Sequence, residues 1–352
     1  LTDLPNQFAN QLIDWYSRVK RDLPWRKTRE PYNIWLSEII LQQTRVDQGL
    51  PYYNRFVEQF PTVHDLAAAD TQEVLKLWEG LGYYSRARNL HSTAKHIAND
   101  LNGKFPTDYK GLLKLKGVGP YTAAAIASIA YQEAVPVLDG NVFRFASRYF
   151  GIQKDIAEQK NRQSFMNVLE KVIPHDAPDT FNQAMMEYGA TVCKPLPACN
   201  DCSFAQACYA YTHKLQGQLP IKSKKVKVKE VYIDYLIFDH DGHTLMRKRQ
   251  DSIWTGLFEF HNLSADAPIS EEQIAASLKS YRGVTIEPPA APVKHLLSHR
   301  KLWVRFFRVN ISGRATFDQL AKDLELRIYS HEEVLTLPRP KVIVNHLHQV
   351  GF

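Results

Sequence analysis

Apolar residues recur at three- and four-residue steps through the first 213 positions, and largely at two-residue steps beyond position 230. The first spacing is that of amphipathic helices and the second that of half-buried strands. Six segments carry the helical pattern: 8–19 (FANQLIDWYSRV), 32–46 (YNIWLSEIILQQTRV), 48–60, 71–81, 86–101 and 181–193. Proline and glycine punctuate them. Residues 231–249 (VYIDYLIFDHDGHTLMRKR) read as strand, Asp-Gly turn and strand, and 301–311 (KLWVRFFRVNI) as a further β-rich run. Two short helices are predicted within 270–281 and 331–350. The pattern therefore predicts a multi-domain chain, with an all-α domain over 1–213, a linker over 214–229 and an α+β domain over 230–352. A length of 352 residues, more than one hydrophobic core usually serves, agrees with that division.

Composition adds little, but the placement of charge adds more. Hydrophobic residues make up 44% and charged residues 23%, ordinary values for a globular protein. No run of eighteen apolar residues occurs, so no membrane partner is expected. The first residues, LTDLPNQFANQ, lack the basic and apolar segments of a secretory signal, and the predicted location is cytoplasmic. The formal charge is +7, and positions 214, 222, 224, 225, 227 and 229 are lysines with no acid among them. That segment reads either as an exposed tether or as a strand of charge able to lie along phosphates.

Candidate chemistry is densest between residues 115 and 141 (LKGVGPYTAAAIASIAYQEAVPVLDGN). Gly117-Val118-Gly119-Pro120 is a glycine turn running directly into an Ala-rich helix, with Pro120 suited to the first helical position. A helix N-terminus approached through glycines offers free N–H groups to an anion, most simply a phosphate. Asp139 lies eighteen residues beyond Tyr121, just before a second helix. A hairpin of this kind followed by an aspartate resembles the helix-hairpin-helix of the base-excision DNA glycosylases, here over residues 108–131. A second acid, Glu38, stands in the apolar run Trp35-Leu36-Ser37-Glu38-Ile39-Ile40-Leu41, where desolvation raises a carboxyl pKa. Asp139 faces the positive end of its helix, which favours the ionised form. One proton donor and one carboxylate are what cleavage of a glycosidic bond through an oxocarbenium-like state requires.

All four cysteines, Cys193, Cys199, Cys202 and Cys208, fall within sixteen residues. Such crowding without a secretory signal indicates a metal site rather than disulfides. Structural zinc favours paired CxxC knuckles, whereas one close pair flanked by wider gaps suits an iron–sulfur cluster. The C-x5-C-x2-C-x5-C loop over 193–208 resembles the cluster loop of the endonuclease III-like glycosylases, one residue shorter in its first gap. That resemblance implies a [4Fe-4S] cofactor.

Taken together, RDLPWR (21–26), SEIILQQTRV (37–46), WEGLGYYSRARNL (78–90), LKGVGPYTA (115–123), VLDGNV (137–142) and the cysteine loop resemble the adenine DNA glycosylases that remove adenine mispaired with 8-oxoguanine. The resemblance covers essentially the whole chain, its C-terminal part being similar to a Nudix-like domain. It implies double-stranded DNA containing A:8-oxoguanine or A:G mispairs as partner, bound by a monomer. Glu38 becomes the general acid and Asp139 the stabiliser of the sugar cation, with Tyr121 and Asn141 holding them. Arg21, Trp25, Arg26 and Gln183 line the adenine pocket, although Trp25 also suits a core. Gln43 and Thr44 at the end of the Glu38 helix, and Leu81 and Tyr83 in a glycine-hinged loop, contact the flipped site and the lesion. Gly117 and Gly119 bind backbone phosphate.

The resemblance also defines the subclass. Enzymes of the scaffold that cut the strand carry a lysine at the position of Tyr121, because Schiff-base chemistry needs an amine; a tyrosine implies a monofunctional glycosylase. After Gly256 the chain reads LFEFHNLSADAPIS, without the glutamate-rich helix of a working Nudix hydrolase. The family's Phe-Ser-His lesion loop matches Leu297-Ser298-His299, so hydroxyl and imidazole remain while the aromatic ring is absent. Two other readings stand beside this one, a thymine- or pyrimidine-mismatch glycosylase on the same scaffold and a non-catalytic binder of damaged DNA.

Overall fold

Two segments of the N-terminal half have no polar face, and a helix apolar all round must be enclosed by others. In the computed structural model, Pro31–Leu41 is a helix buried continuously from Ile34 to Ile40. Pro120–Tyr131 is a second, buried from Thr122 to Ile129. The two pack on each other, with Val46–Gln59 on the first and Tyr109–Leu112 and Pro178–Thr191 on the second. Five alanines and Ser128 along Pro120–Tyr131 keep its surface thin enough to sit at the centre. The structure describes residues 4–223, 228–250, 253–297 and 299–351.

The chain divides into two compact units, residues 1–68 with 89–224, and residues 69–88 with 225–352. Residues 69–88, which the sequence pattern assigns to the helical domain, thus group with the C-terminal unit. Side chains of this stretch donate to backbone carbonyls of that unit. Lys76 Nζ donates to the carbonyls of Leu335 and Leu337 at 2.8 and 3.2 Å, Tyr84 Oη to that of Arg339 at 3.2 Å, and Arg88 Nη1 to that of Thr255 at 2.6 Å. The expected linker is also shorter than 214–229. Leu219 is buried and accepts from Arg148 Nε at 2.9 Å, and Ile221 accepts from the Ile156 N–H at 3.0 Å, which ties this stretch to the first unit. Lys224, Lys225 and Lys227 lie outside the described residues.

The second unit is built on one sheet of strands β1 (Lys229–His240), β2 (His243–Lys248), β3 (Phe258–Ala265), β4 (Val284–Ile286), β5 (Val293–Leu296), β6 (Arg300–Ile311) and β7 (Arg327–Ser330). The order is β4-β6-β1-β3-β2-β7, with β5 also on β6; β1 and β6 run parallel and the other pairs antiparallel. The predicted Asp241-Gly242 turn joins β1 to β2 with both residues at positive φ, the conformation a two-residue hairpin needs. Alternation along β1 feeds two cores. Ile233, Tyr235 and Ile237 meet Val334, Val342, Ile343 and Leu347, while Leu236 and Phe238 meet Ile274, Leu278, Phe317 and Leu320. The predicted 331–350 helix is two, His331–Thr336 and Lys341–Val350, interrupted at Pro338 and Pro340. Arg314–Asp323 is a further helix that the sequence reading does not predict.

Candidate active site and nucleic-acid interface

The buried helix Pro31–Leu41 carries Glu38 to the wall of a cavity of about 590 Å³ in the first unit. Desolvation pushes the Glu38 pKa up to about 7, a rise opposed by hydrogen bonding with Tyr121, reinforced by the charge of Asp139 and opposed by that of Arg26. An acid so placed holds its proton near neutrality. Tyr121, one residue into the second central helix, lines the same cavity, its hydroxyl 3.2 Å from Met186 Sδ. Burial and the adjacent carboxylates raise its own pKa, so it stays a neutral donor.

Asp139 enters the cavity from the N-cap of the helix Gly140–Phe150. Its Oδ1 accepts from the Val142 N–H at 2.7 Å and its Oδ2 from Asn141 Nδ2 at 2.8 Å. Asn141 is held in turn by Arg144 Nη2, 2.9 Å from its Oδ1. The expectation that the positive helix end favours the ionised form of this acid needs correction, because the net shift of its pKa is upward. Burial pushes the Asp139 pKa up, and the hydrogen bonds of Val142 and Asn141 and the charge of Arg144 work against that rise.

Arg21, Trp25, Arg26 and Gln183 line the same cavity. Trp25 is both buried, with an edge contact to Tyr53 at 5.1 Å, and part of the wall. Gln183 Oε1 accepts from Tyr16 Oη at 3.2 Å. Gln43 and Thr44 stand at the rim, just past the Glu38 helix. Gln43 is exposed with φ +54°, a left-handed backbone that non-glycine residues hold only when their surroundings impose it. In the hairpin, Gly117 has φ +79°, and a Cβ there would stand 2.8 Å from Asn89 Cβ. Gly119 is the N-cap of Pro120–Tyr131, and a Cβ on it would meet nothing within 4 Å. Only Gly117 is required by the fold; Gly119 leaves an exposed helix N-terminus uncovered.

Cys193, Cys199, Cys202 and Cys208 line one small, mainly apolar cavity with Phe145 and Phe204. Arg148 Nη1 lies 3.5 Å from Cys193 Sγ and also donates to the Lys194 carbonyl at 2.6 Å; Tyr188 Oη is 3.1 Å from Cys202 Sγ. Among the described residues no group of three or more His, Cys, Asp or Glu side chains is arranged around a single ion. In the second unit, Leu81 is buried, Tyr83 is 45% exposed at φ +48°, and both line a cavity of about 650 Å³ together with His299. Ser298 lies outside the described residues.

Comparison with known proteins gives two family matches, HhH-GPD superfamily base excision DNA repair protein over residues 36–171 and NUDIX domain over residues 235–349. An adenine DNA glycosylase of Buchnera aphidicola subsp. Baizongia pistaciae is 32% identical over 337 residues, covering 95% of this chain and 94% of that protein. The chain belongs to the adenine DNA glycosylase family. A second such relative, from Buchnera aphidicola subsp. Schizaphis graminum, is 37% identical over 258 residues, 72% of this chain and 74% of its own. The solved structure of a thermostable thymine-DNA glycosylase matches with a TM-score of 0.55 at 28% identity, covering 59% of this chain and 97% of that one.

As a member of the adenine DNA glycosylases, the chain is an enzyme of base-excision repair that acts on DNA, and the non-catalytic and thymine-directed readings give way. Among the described residues no helix is long and apolar enough to cross a membrane. The residue that sequence reasoning missed in this adenine glycosylase is Glu187. It is 1% exposed and lines the cavity, accepting from Arg21 Nε and Nη2 at 2.7 and 2.6 Å and from Arg26 Nη2 at 2.7 Å. Burial alone would raise its pKa, but the two guanidinium groups hold it down to about 2. The signal was present: two arginines expected in a buried pocket demand an anionic partner, and Glu187 lies one helical turn beyond Gln183. Gly189 was missed too. A Cβ there would come within 2.6 Å of the Asn141 carbonyl oxygen, so its absence lets Pro178–Thr191 press against the start of the Asp139-capped helix.

Proposed function

We propose that this enzyme hydrolyses the N-glycosidic bond of adenine opposite 8-oxoguanine or guanine, acting as a monomer on duplex DNA. The observation that carries the reading is the shared cavity: Glu38, Asp139, Tyr121 and Asn141 open onto the same space as Arg21, Trp25, Arg26 and Gln183. Glu38, with a pKa near 7, gives its proton to a ring nitrogen of the extruded base and so makes adenine a neutral leaving group. The Asp139 carboxylate, supplied with donors by Val142 and Asn141, stabilises positive charge developing on the sugar. Tyr121 keeps the Glu38 carboxyl aimed into the cavity, and Asn141 does the same for Asp139.

Extruding the base costs a few kcal/mol of stacking, which side chains inserted into the duplex offset. Gln43, with Thr44 beside it, fills the vacated stack, and Tyr83, on the loop that opens at Leu81, wedges beside the lesion; the left-handed backbones of Gln43 and Tyr83 are what a fixed probe needs. Gly117 and Gly119 present backbone N–H groups to phosphate, and Ser298 and His299 read the oxidised guanine. Position 121 offers no amine, so strand cleavage through a Schiff base is absent and the enzyme is monofunctional.

The cysteine loop fits a [4Fe-4S] cluster held by Cys193, Cys199, Cys202 and Cys208. The fit rests on four thiols around one mainly apolar cavity, with Arg148 and Tyr188 supplying hydrogen-bond donors to sulfur. When bound, the cluster supplies a covalent cross-link of the loop. The test of the function is single-turnover base release from duplexes carrying A:8-oxoguanine, A:G and A:C. Release is expected fastest from the first and lost in Asp139→Asn; equal rates on all three duplexes, or an active Asp139→Asn, overturn the proposal.

A further inference from the structure

The lesion loop has lost its aromatic ring at Leu297, yet the cavity beside it is not without one. In the second unit, Trp254 lines the 650 Å³ space together with Tyr83, His295 and Leu297. Its backbone is left-handed, with φ +64°, a region disfavoured for any side chain bearing a Cβ. The turn that imposes this is clamped at each side. Leu257 N–H donates to the Trp254 carbonyl at 3.0 Å, Gly256 N–H to that of Arg249 at 2.8 Å, and Arg88 Nη1 to that of Thr255 at 2.6 Å. The indole is partly buried against the hydrophobic core that also receives Leu297, and its ring lies 5.9 Å from that of His295, tilted by 59°. A residue that only filled the core would need neither the disfavoured backbone nor a place on the cavity wall. Arg300 and Lys341 complete that wall with positive charge, the complement of a nucleotide phosphate.

We propose that Trp254 is a specificity-side binding residue of this chain, giving the base opposite the excised adenine an aromatic face that position 297 no longer offers. This rests on the function proposed above. Stacking is tolerant of base identity, so Trp254 contributes affinity for a base lodged in the cavity rather than choosing which base that is.

The test compares wild type, Trp254→Leu and Trp254→Phe for binding to an A:8-oxoguanine duplex and to a fully paired duplex, together with binding-induced quenching of tryptophan fluorescence. Trp254→Leu is expected to lose ~5- to 150-fold in affinity for the mispaired duplex, with little change for the paired one. Trp254→Phe is expected to stay within about threefold of wild type, since a smaller ring still stacks, and to lose part of the quench. An unchanged affinity of Trp254→Leu for the mispaired duplex, or the same fold-loss on both duplexes, overturns the assignment. Should that variant fail to fold, a Trp254→Phe protein that quenches as wild type does overturns it instead. Failure of wild type to release adenine from A:8-oxoguanine would remove the functional reading itself, an outcome distinct from a wild-type enzyme whose affinity does not depend on Trp254.

Discussion

Replacing Glu38 by glutamine separates the catalytic use of this acid from its structural cost. The carboxyl is held near pKa 7 from an ordinary value of 4.5, chiefly by desolvation. At ~1.4 kcal/mol per unit, ionising it in the folded state costs roughly 3 kcal/mol. The acid's folded pKa is raised, so the unfolded chain releases its proton first. The contribution of this group to stability is therefore greatest below pH 4.5, falls as pH rises from 4.5 to 7, and stays low above that. Glutamine never ionises and escapes the penalty. Glu38→Gln should match wild type near pH 4.5 and exceed it at pH 8 by up to about 3 kcal/mol, or on the order of 5–10 °C in melting temperature for a unit of this size. The same variant, with no proton to give, should lose ~10²-fold or more in single-turnover base release, and wild-type release should decline as pH passes 7. Thermal melts at the two pH values and base-release assays check both halves. A variant no more stable at pH 8 than wild type would show that Glu38 is not desolvated, and one that keeps its rate would remove it as the acid.

Glu187→Gln leaves Arg21 and Arg26 without their carboxylate. Because Arg21 is 40% exposed and reaches water, the loss should be ~2 kcal/mol rather than the 3–5 of a fully buried pair, read from denaturant midpoints. The Glu187 pKa is depressed to about 2, so the advantage of wild type should be full above pH 4.5 and vanish as pH falls through 2; a pH-independent difference would refute this. Gly189→Ala puts a methyl 2.6 Å from the Asn141 carbonyl oxygen and should cost ~1–3 kcal/mol while slowing base release by displacing Asp139; an unchanged melting temperature and rate would count against that packing role. Tyr121→Lys supplies the missing amine and should give a borohydride-trapped protein–DNA adduct, whose absence would place position 121 away from the sugar.

Local chemistry was legible in the residues themselves. The apolar run around Glu38 forces that helix into the interior, and desolvation among those neighbours is the main cause of the raised pKa of the acid. Gly117 and Pro120 likewise mark a turn and a helix start from their own backbone limits, and the pattern of residues 231–240 marks a strand, whereas the core on each of its faces comes from the fold. What no local pattern contains is which distant segments meet. Glu187 pairs with arginines more than 160 positions away, Gly189 is small because Asn141 arrives from another helix, and residues 69–88 join the sheet-bearing unit through backbone carbonyls near position 335. Trp254 carries no distinguishing signal in the sequence; only folding sets it on one cavity wall with Leu297. Periodicity and propensity act over a few residues, whereas the pairing of charges and the filling of space depend on contacts that close long loops, so the tertiary structure alone decides them.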